Sequence, residues 1–275
     1  MSVPSRRVRV VLAYDGGAFS GWQIQGRGVR TAQAVLRDAL TTLQGGGRVV
    51  VRGAGRTDAG VHALAQVADA EVRVRLDDRR LLHALRRLLP RDLRPLALET
   101  VDASFHSQFH ALDKGYVYVL DRTEHGDPFL AGHAWHVYGA LDLRAMQQAL
   151  AKLPGERDWS GFTGAACPLD DRVRSMTVAR YTEHRAAGLG RFEFVADGFL
   201  THMVRNLVGT LVTVGRGSAP AEVVDTILAS GDRTLAGVTA PARGLFLARV
   251  RYPGLDTATL APEVPWPWAY VLGGT

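Results

Sequence analysis

A chain of 275 residues, 47% hydrophobic and 22% charged, suits one large domain or two ordinary ones and excludes wholesale disorder. No apolar run reaches the length of a membrane-spanning helix, and the apolar stretch near the N-terminus stops at Asp15 without a small-residue cleavage site, so no secretory signal is expected. The single cysteine, Cys167, rules out an internal disulfide and a cysteine-rich zinc site, and fits a reducing cytoplasm.

Lysine plus arginine number 33 against 27 acids, and only Lys114 and Lys152 are lysines. Guanidinium forks grip phosphate bidentately and stack on bases. A codon bias accounts for arginine in place of lysine, but not for how the charge is distributed. Residues 1–100 hold 17 arginines and 9 acids, whereas residues 101–275 hold 14 arginines, 2 lysines and 18 acids. The basic half is the candidate surface for a polyanion.

In chain order, Arg7–Tyr14 reads as a strand with Val8, Val10, Leu12 and Tyr14 on one face. Thr31–Leu43 is helical, with Val35, Leu36, Ala39, Leu40 and Leu43 at helical spacing, and three glycines stop it. Strands are expected at Arg48–Arg52 and Ala65–Arg75. A helix follows over Leu76–Leu89, its stripe being Leu81, Leu82, Leu85, Leu88 and Leu89, and then a strand at Leu96–Val101. The order β-α-β-β-α-β is the split βαβ arrangement, two helices over one face of an antiparallel sheet.

The second half reads as a longer variation: a strand at Tyr116–Asp121, a helix at Leu141–Leu153, and a hairpin of Arg174–His184 with Arg191–Ala196. Helices at Leu200–Val214 and Pro220–Ser230 and a strand at Leu245–Tyr252 follow. The tail from Pro262 to Pro267, with Trp266 and Trp268, is too proline-rich for regular structure.

Phosphate-loop and zinc-protease motifs are absent, and Gly53-Ala54-Gly55-Arg56-Thr57-Asp58 puts an acid where a dinucleotide loop needs its third glycine. His106/His110 and His133/His136 have spacings a metal can use, yet no acid or cysteine cluster accompanies them. Three segments stand out. In Arg52–His62, three glycines surround the lone carboxylate of Asp58, which follows Arg56 by two residues; a tight turn with Asp58 as a helix N-cap fits the same spacing. Arg205 lies in a largely apolar helix, where a buried guanidinium needs an anion such as Asp58, or else faces solvent or a backbone carbonyl. Tyr116 and Tyr118 share a strand face, as core residues or as a platform for a base.

With these segments in hand, the chain resembles the TruA-type tRNA pseudouridine synthases. Gly55-Arg56-Thr57-Asp58-Ala59-Gly60-Val61-His62-Ala63 is similar to that family's catalytic loop almost letter for letter. Five further blocks follow suit: Tyr14–Gly16 with Phe19, Gly21–Gln23, Gln25, Thr31 and Gln33; Phe105-His106 to Tyr118; Asp158–Phe162; Gly198–Gly209; and Pro241–Leu245.

The resemblance implies an α+β pseudouridine synthase fold: two ferredoxin-like, RRM-like subdomains, 1–103 and 104–275, sharing a largely antiparallel sheet with helices outside and an active-site cleft between them. It implies isomerisation of uridine to pseudouridine at positions 38, 39 and 40 of the tRNA anticodon stem-loop, by a cytoplasmic homodimer with no cofactor and no metal. Asp58 would be the catalytic aspartate, Arg56 the residue that opens the target base from the stem, Arg205 the salt-bridge partner, Tyr116 the ring packed on uracil and Leu245 part of the pocket floor. One carboxylate suffices for this chemistry, an opposite charge keeps such a group ionised, and unstacking a base costs a few kcal/mol. Arg6, Arg7, Arg9, Arg27, Arg30, Arg79, Arg80, Arg86 and Arg87 would supply phosphate contacts. Two other readings are a non-catalytic RNA-binding module on the same fold and a metal-dependent hydrolase using the histidine pairs.

Overall fold

A computed structural model describes residues 3–164, 167 and 169–260; the proline-rich tail lies outside the described residues. Two compact units emerge, one formed by the described residues up to Leu112 with 247–260, the other by Asp113–Phe246.

The first unit opens with β1 (Arg6–Tyr14), α1 (Ala32–Leu43), β2 (Val51–Gly53), β3 (His62–Val72), α2 (Asp78–Leu88) and β4 (Leu93–Val101). β1 is central, antiparallel to both β3 and β4, and β2 adds to β3 by pairing Val51 with Ala70 and Gly53 with Ala68. Alternation buries Val8, Val10, Leu12 and Tyr14 as expected. Thr31 caps α1 by accepting from the Ala34 amide, and Asp77 caps α2 by accepting from Arg80, so each helix starts where a side-chain oxygen meets its unpaired N–H groups. α1 buries Leu36 and Leu40, and α2 buries Leu81 and Leu85. Leu88, expected in the buried stripe, is 45% exposed, because the helix ends there and the extended Leu89 folds under in its place.

The second unit contains β5 (Asp113–Asp121), β6 (Trp135–His136), α3 (Leu143–Leu150), β7 (Gly155–Asp158), β8 (Val173–His184), β9 (Leu189–Ala196), α4 (Met203–Gly215) and α5 (Val223–Ser230). Its strands run in the order β5-β9-β8-β7, all antiparallel, with β6 parallel on β5. The expected hairpin is β8–β9, turned through 185–188 with Gly188 left-handed. α4 begins at Met203 rather than Leu200 because His202 adopts a left-handed conformation at its N-cap (φ 61°). The chain then runs through β10 (Leu245–Tyr252), which lies beside β3 and pairs with β11 (Leu255–Asp256).

Among the described residues, mostly antiparallel strands with five α-helices make this an α+β protein, as expected. Among the described residues no helix is long and apolar enough to cross a membrane.

Candidate active site

The segment from Gly53, the last residue of β2, to His62, the first of β3, has no strand or helix over 54–61. It is held from below at nearly every residue. The Trp22 indole, buried to 1% exposure, lies directly on Gly53, where any Cβ would collide with it. The Ala54 amide donates to the Val67 carbonyl (2.8 Å), and the Gln66 side-chain amide donates to the Gly55 carbonyl (2.8 Å). Thr57 is buried: its hydroxyl bonds the Tyr14 hydroxyl at 2.8 Å, and its carbonyl accepts from the Trp22 amide at 3.0 Å. The Asp58 carbonyl then accepts from the Val61 amide (3.1 Å), closing a turn that needs positive φ at Gly60 (79°). At the far end His62, 2% exposed, accepts the Gly16 amide at Nδ1.

With Gly55 and Thr57 tied down, Arg56 between them is exposed, and Asp58 is half-buried. The N-cap reading of Asp58 is overturned: the turn it begins leads into strand β3 and not into a helix. Tyr14 remains a neutral phenol here, since burial pushes its pKa up to about 12 despite the hydrogen bonds to Thr57 and Gln66.

On β3 lies a carboxylate that did not stand out in the sequence. Asp69, fully buried opposite Arg52 in the β2–β3 register, binds the guanidinium groups of Arg52 and Arg7 (2.8 Å to Arg7) and accepts the Ser107 amide at 2.9 Å. Burial pushes the Asp69 carboxyl up, but Arg52, Ser107 and Arg7 outweigh it and hold it below the usual range. Gln66, also at 0% exposure, was missed too. For both residues the signal was a polar side chain at an inward position of an otherwise apolar strand, since such a group is retained only when it is hydrogen-bonded.

In the second unit, Tyr116 and Tyr118 occupy β5 as expected. Tyr116 is 6% exposed, its ring edge-on to Phe199 at 5.0 Å. Tyr118 is fully buried, and its hydroxyl donates to the Pro241 carbonyl (2.8 Å), which makes it a core residue. Burial drives the Tyr118 phenol upward against the opposing charges of Arg205 and Arg243. Arg205 is half-buried on α4 and donates Nε to the Ala240 carbonyl at 2.8 Å, while the Ala240 amide donates back to the Arg205 carbonyl. The Ala240 backbone carbonyl is thus one partner of the Arg205 guanidinium. Asn206, at 0% exposure, fixes the same segment by accepting from Thr239 and Arg233 and donating to Phe162. Leu245, 6% exposed, opens β10 after a short 3-10 turn whose Gly244 carries the Tyr118 ring directly on its backbone.

The nine arginines of the basic half expected to contact phosphate divide in two. Arg7 is bound to Asp69; Arg9 bonds Glu99 and covers the rings of Phe105 and Tyr252; Arg30 bonds Asp92 and covers Phe19. Arg6 reaches the Leu76 carbonyl and Asp78, and Arg86 donates to the carbonyls of Pro95 and Leu96. Arg27, Arg79, Arg80 and Arg87 are exposed, Arg80 with a loose contact to Asp77 at 3.6 Å.

The histidine pairs serve local structure. His106 Nδ1 accepts the amides of Gln108 and Phe109, and His110 Nδ1 accepts the His106 amide, so one nitrogen of each ring caps a turn. His136 binds the Thr123 carbonyl, while His133 stacks on Phe246.

A family model described as tRNA pseudouridine synthase matches residues 10–110 and 149–253. A tRNA pseudouridine synthase A of Solidesulfovibrio magneticus is 46% identical over 259 residues, covering 90% of this chain and 93% of the relative. One of Streptococcus pneumoniae (strain Taiwan19F-14) is 38% identical over 246 residues, covering 90% of this chain and 98% of the relative. The matched ranges contain the whole Gly53–His62 loop, Arg205 and Leu245, and on this evidence of sequence and length the chain belongs to the tRNA pseudouridine synthase family.

Proposed function

We propose that this protein isomerises uridine to pseudouridine in tRNA, at positions 38, 39 and 40 of the anticodon stem-loop, as a cytoplasmic homodimer. The observation that supports it most is the Gly55–Ala63 block, carried on a loop whose anchored residues leave Arg56 exposed and Asp58 half-buried.

The reaction breaks the N1–C1′ glycosidic bond, turns the uracil and joins C5 to C1′; C5 loses a proton and N1 gains one. Electrons balance without an oxidant or reductant. Asp58 supplies the carboxylate that acts on the ribose or the uracil. Arg56 fills the space left by the target base once it is unstacked, offsetting part of that cost. Tyr116, Arg205 and Leu245 take the supporting roles that the family resemblance gives them. The exposed Arg27, Arg79, Arg80 and Arg87 make the sequence-independent phosphate contacts.

The test is mass spectrometry of tRNA incubated with the wild-type protein and with Asp58→Asn. Wild type converts uridine at the three positions, and Asp58→Asn binds the same tRNA without converting it. Full conversion by Asp58→Asn sinks the catalytic assignment. Conversion elsewhere in the tRNA sinks the positional one.

A further inference from the structure

Between Gly53 and His62 the loop has no ladder of its own, yet two of its residues are gripped by two buried polar side chains. Gln66 donates its side-chain amide to the Gly55 carbonyl at 2.8 Å, and the Tyr14 hydroxyl meets the Thr57 hydroxyl at 2.8 Å. Tyr14 and Gln66 stand on the paired strands β1 and β3, where Leu12 lies opposite Gln66. The result is a bracket, Gly55–Gln66–Tyr14–Thr57, that closes around Arg56 and ends one residue before Asp58. Its parts are inside the molecule: Gln66 is 0%, Tyr14 5% and Thr57 6% exposed. They come from different elements, Tyr14 from the end of β1 and Gln66 from the middle of β3, so the loop is referenced to two central strands rather than to its own stems.

Each part has a job that its nearest apolar counterpart cannot do. Phenylalanine would pack as well as Tyr14 against Phe19 and Trp22, whose rings lie 6.0 and 6.3 Å away. Methionine or leucine would fit the strand position of Gln66 better than an amide does. A buried polar group without partners is costly, so the hydroxyl and the amide persist where they meet groups that need them. Here those groups belong to the two residues on either side of Arg56.

We infer that Tyr14 and Gln66 are positioning residues for pseudouridine formation: together they set where Arg56 leaves the surface and where the Asp58 carboxylate stands, without touching the substrate. This rests on the assignment of Asp58 as the catalytic group. Rates in preorganised sites respond steeply to such placement, and a displacement of about 1 Å can cost roughly 100-fold.

The experiment measures kcat and KM for a tRNA substrate, with the thermal midpoint of each variant, for Tyr14→Phe, Gln66→Met, Thr57→Val, Thr57→Ser, Asp58→Asn and the pair Tyr14→Phe/Thr57→Val. The expected result is a fall in kcat of about 10- to 100-fold for Tyr14→Phe, Gln66→Met and Thr57→Val, with KM within twofold and each protein fully folded at the assay temperature. Thr57→Ser, which keeps the hydroxyl, recovers most of the rate. The double variant is no slower than the worse of its two parents, since both remove the same bond. The inference is overturned if Tyr14→Phe and Gln66→Met keep kcat within twofold, if their losses follow unfolding alone, or if the double variant is additive. Asp58→Asn separates the two levels: a bracket without effect beside an inactive Asp58→Asn removes only the bracket, whereas an active Asp58→Asn removes the reading beneath it.

Discussion

The two units hold their functional candidates by different physical means. In the first, Arg56 and Asp58 ride on a loop that makes no ladder, and their position is determined by single polar contacts: Tyr14 to the Thr57 hydroxyl, Gln66 and Trp22 to the Gly55 and Thr57 carbonyls, and Gly16 to the His62 ring. In the second, Tyr116, Arg205 and Leu245 sit on β5, α4 and β10, where regular backbone hydrogen bonding and close packing hold them. A carboxylate that must act on a substrate cannot be buried among apolar neighbours, so its loop is pinned by hydrogen bonds from within. A ring or a leucine that lines a site can be placed by packing alone. The difference teaches where each unit is fragile: polar pins fail by changing rate, and packed elements fail by unfolding.

The largest expected effect is catalytic and leaves the fold alone. Asp58→Ala lowers kcat by more than about 1,000-fold, as expected for loss of the group that performs covalent or acid–base chemistry, while its melting temperature stays within a few degrees of wild type because Asp58 is not part of the core. A single-turnover assay alongside a thermal melt checks both halves. If the protein unfolds instead, the first unit does not separate rate from stability as argued.

Next comes the buried carboxylate of β3. Asp69→Asn leaves the Arg7 and Arg52 guanidinium groups facing a neutral partner and costs about 3–5 kcal/mol, read from urea unfolding. The pH dependence follows from the direction of its shift. Asp69 releases its proton more readily in the folded chain than in the unfolded one, so the stabilisation is complete above the unfolded value of about 3.9 and is lost as pH falls through the lower folded value. Stability measured across the acid range therefore falls less steeply in Asp69→Asn than in wild type; identical acid limbs would show that Asp69 does not drive that fall.

In the second unit the matching test is steric. A methyl group at Gly209 would run into the Val238 carbonyl oxygen, since the 237–240 segment lies directly on α4. Gly209→Ala costs about 3 kcal/mol, a melting temperature lower by roughly 6–12 °C, and what folded protein remains keeps its kcat. A variant that melts normally but turns over slowly would place α4 among the polar pins of the first unit.

Much of this was legible beforehand, for physical reasons that particular residues display. α1 and α2 announce themselves through leucines at helical spacing, and β1 through the alternation of Val8, Val10, Leu12 and Tyr14, whereas the caps Thr31 and Asp77 come from the structure. β7 was invisible: its residues Gly155–Asp158 are all exposed, so no apolar pattern marks them, and it exists because β8 offers an edge. β3 starts at His62 rather than Ala65, since pairing to β1 continues to Ala63 opposite Tyr14, and cross-strand contact overrides local composition. Asp58 and Arg56 were readable as a motif. The bracket was not, because it links residues 14, 55, 57 and 66 through a fold that periodicity does not describe.

The smallest effects concern the charge surplus of the first unit, and they turn on which arginines remain outward-facing. Arg7 and Arg9 are committed to Asp69 and Glu99, with side chains only 17% and 13% exposed, so they are structural in the same sense as the packed elements of the second unit. Arg27, Arg79, Arg80 and Arg87 stand in solvent. Replacing these four singly by glutamine weakens tRNA binding a few-fold each, without a change in melting temperature. Each one that meets a phosphate also lowers the slope of log affinity against log salt by about 0.7 to 0.9, through counterion release. Arg9→Gln, by contrast, lowers the melting temperature and leaves the slope unchanged. Filter binding of tRNA at several salt concentrations, with a melt for each variant, separates the two groups. If Arg9→Gln changes the slope while the four exposed positions do not, tRNA phosphates engage the paired arginines and the outward ones are ordinary solvated surface.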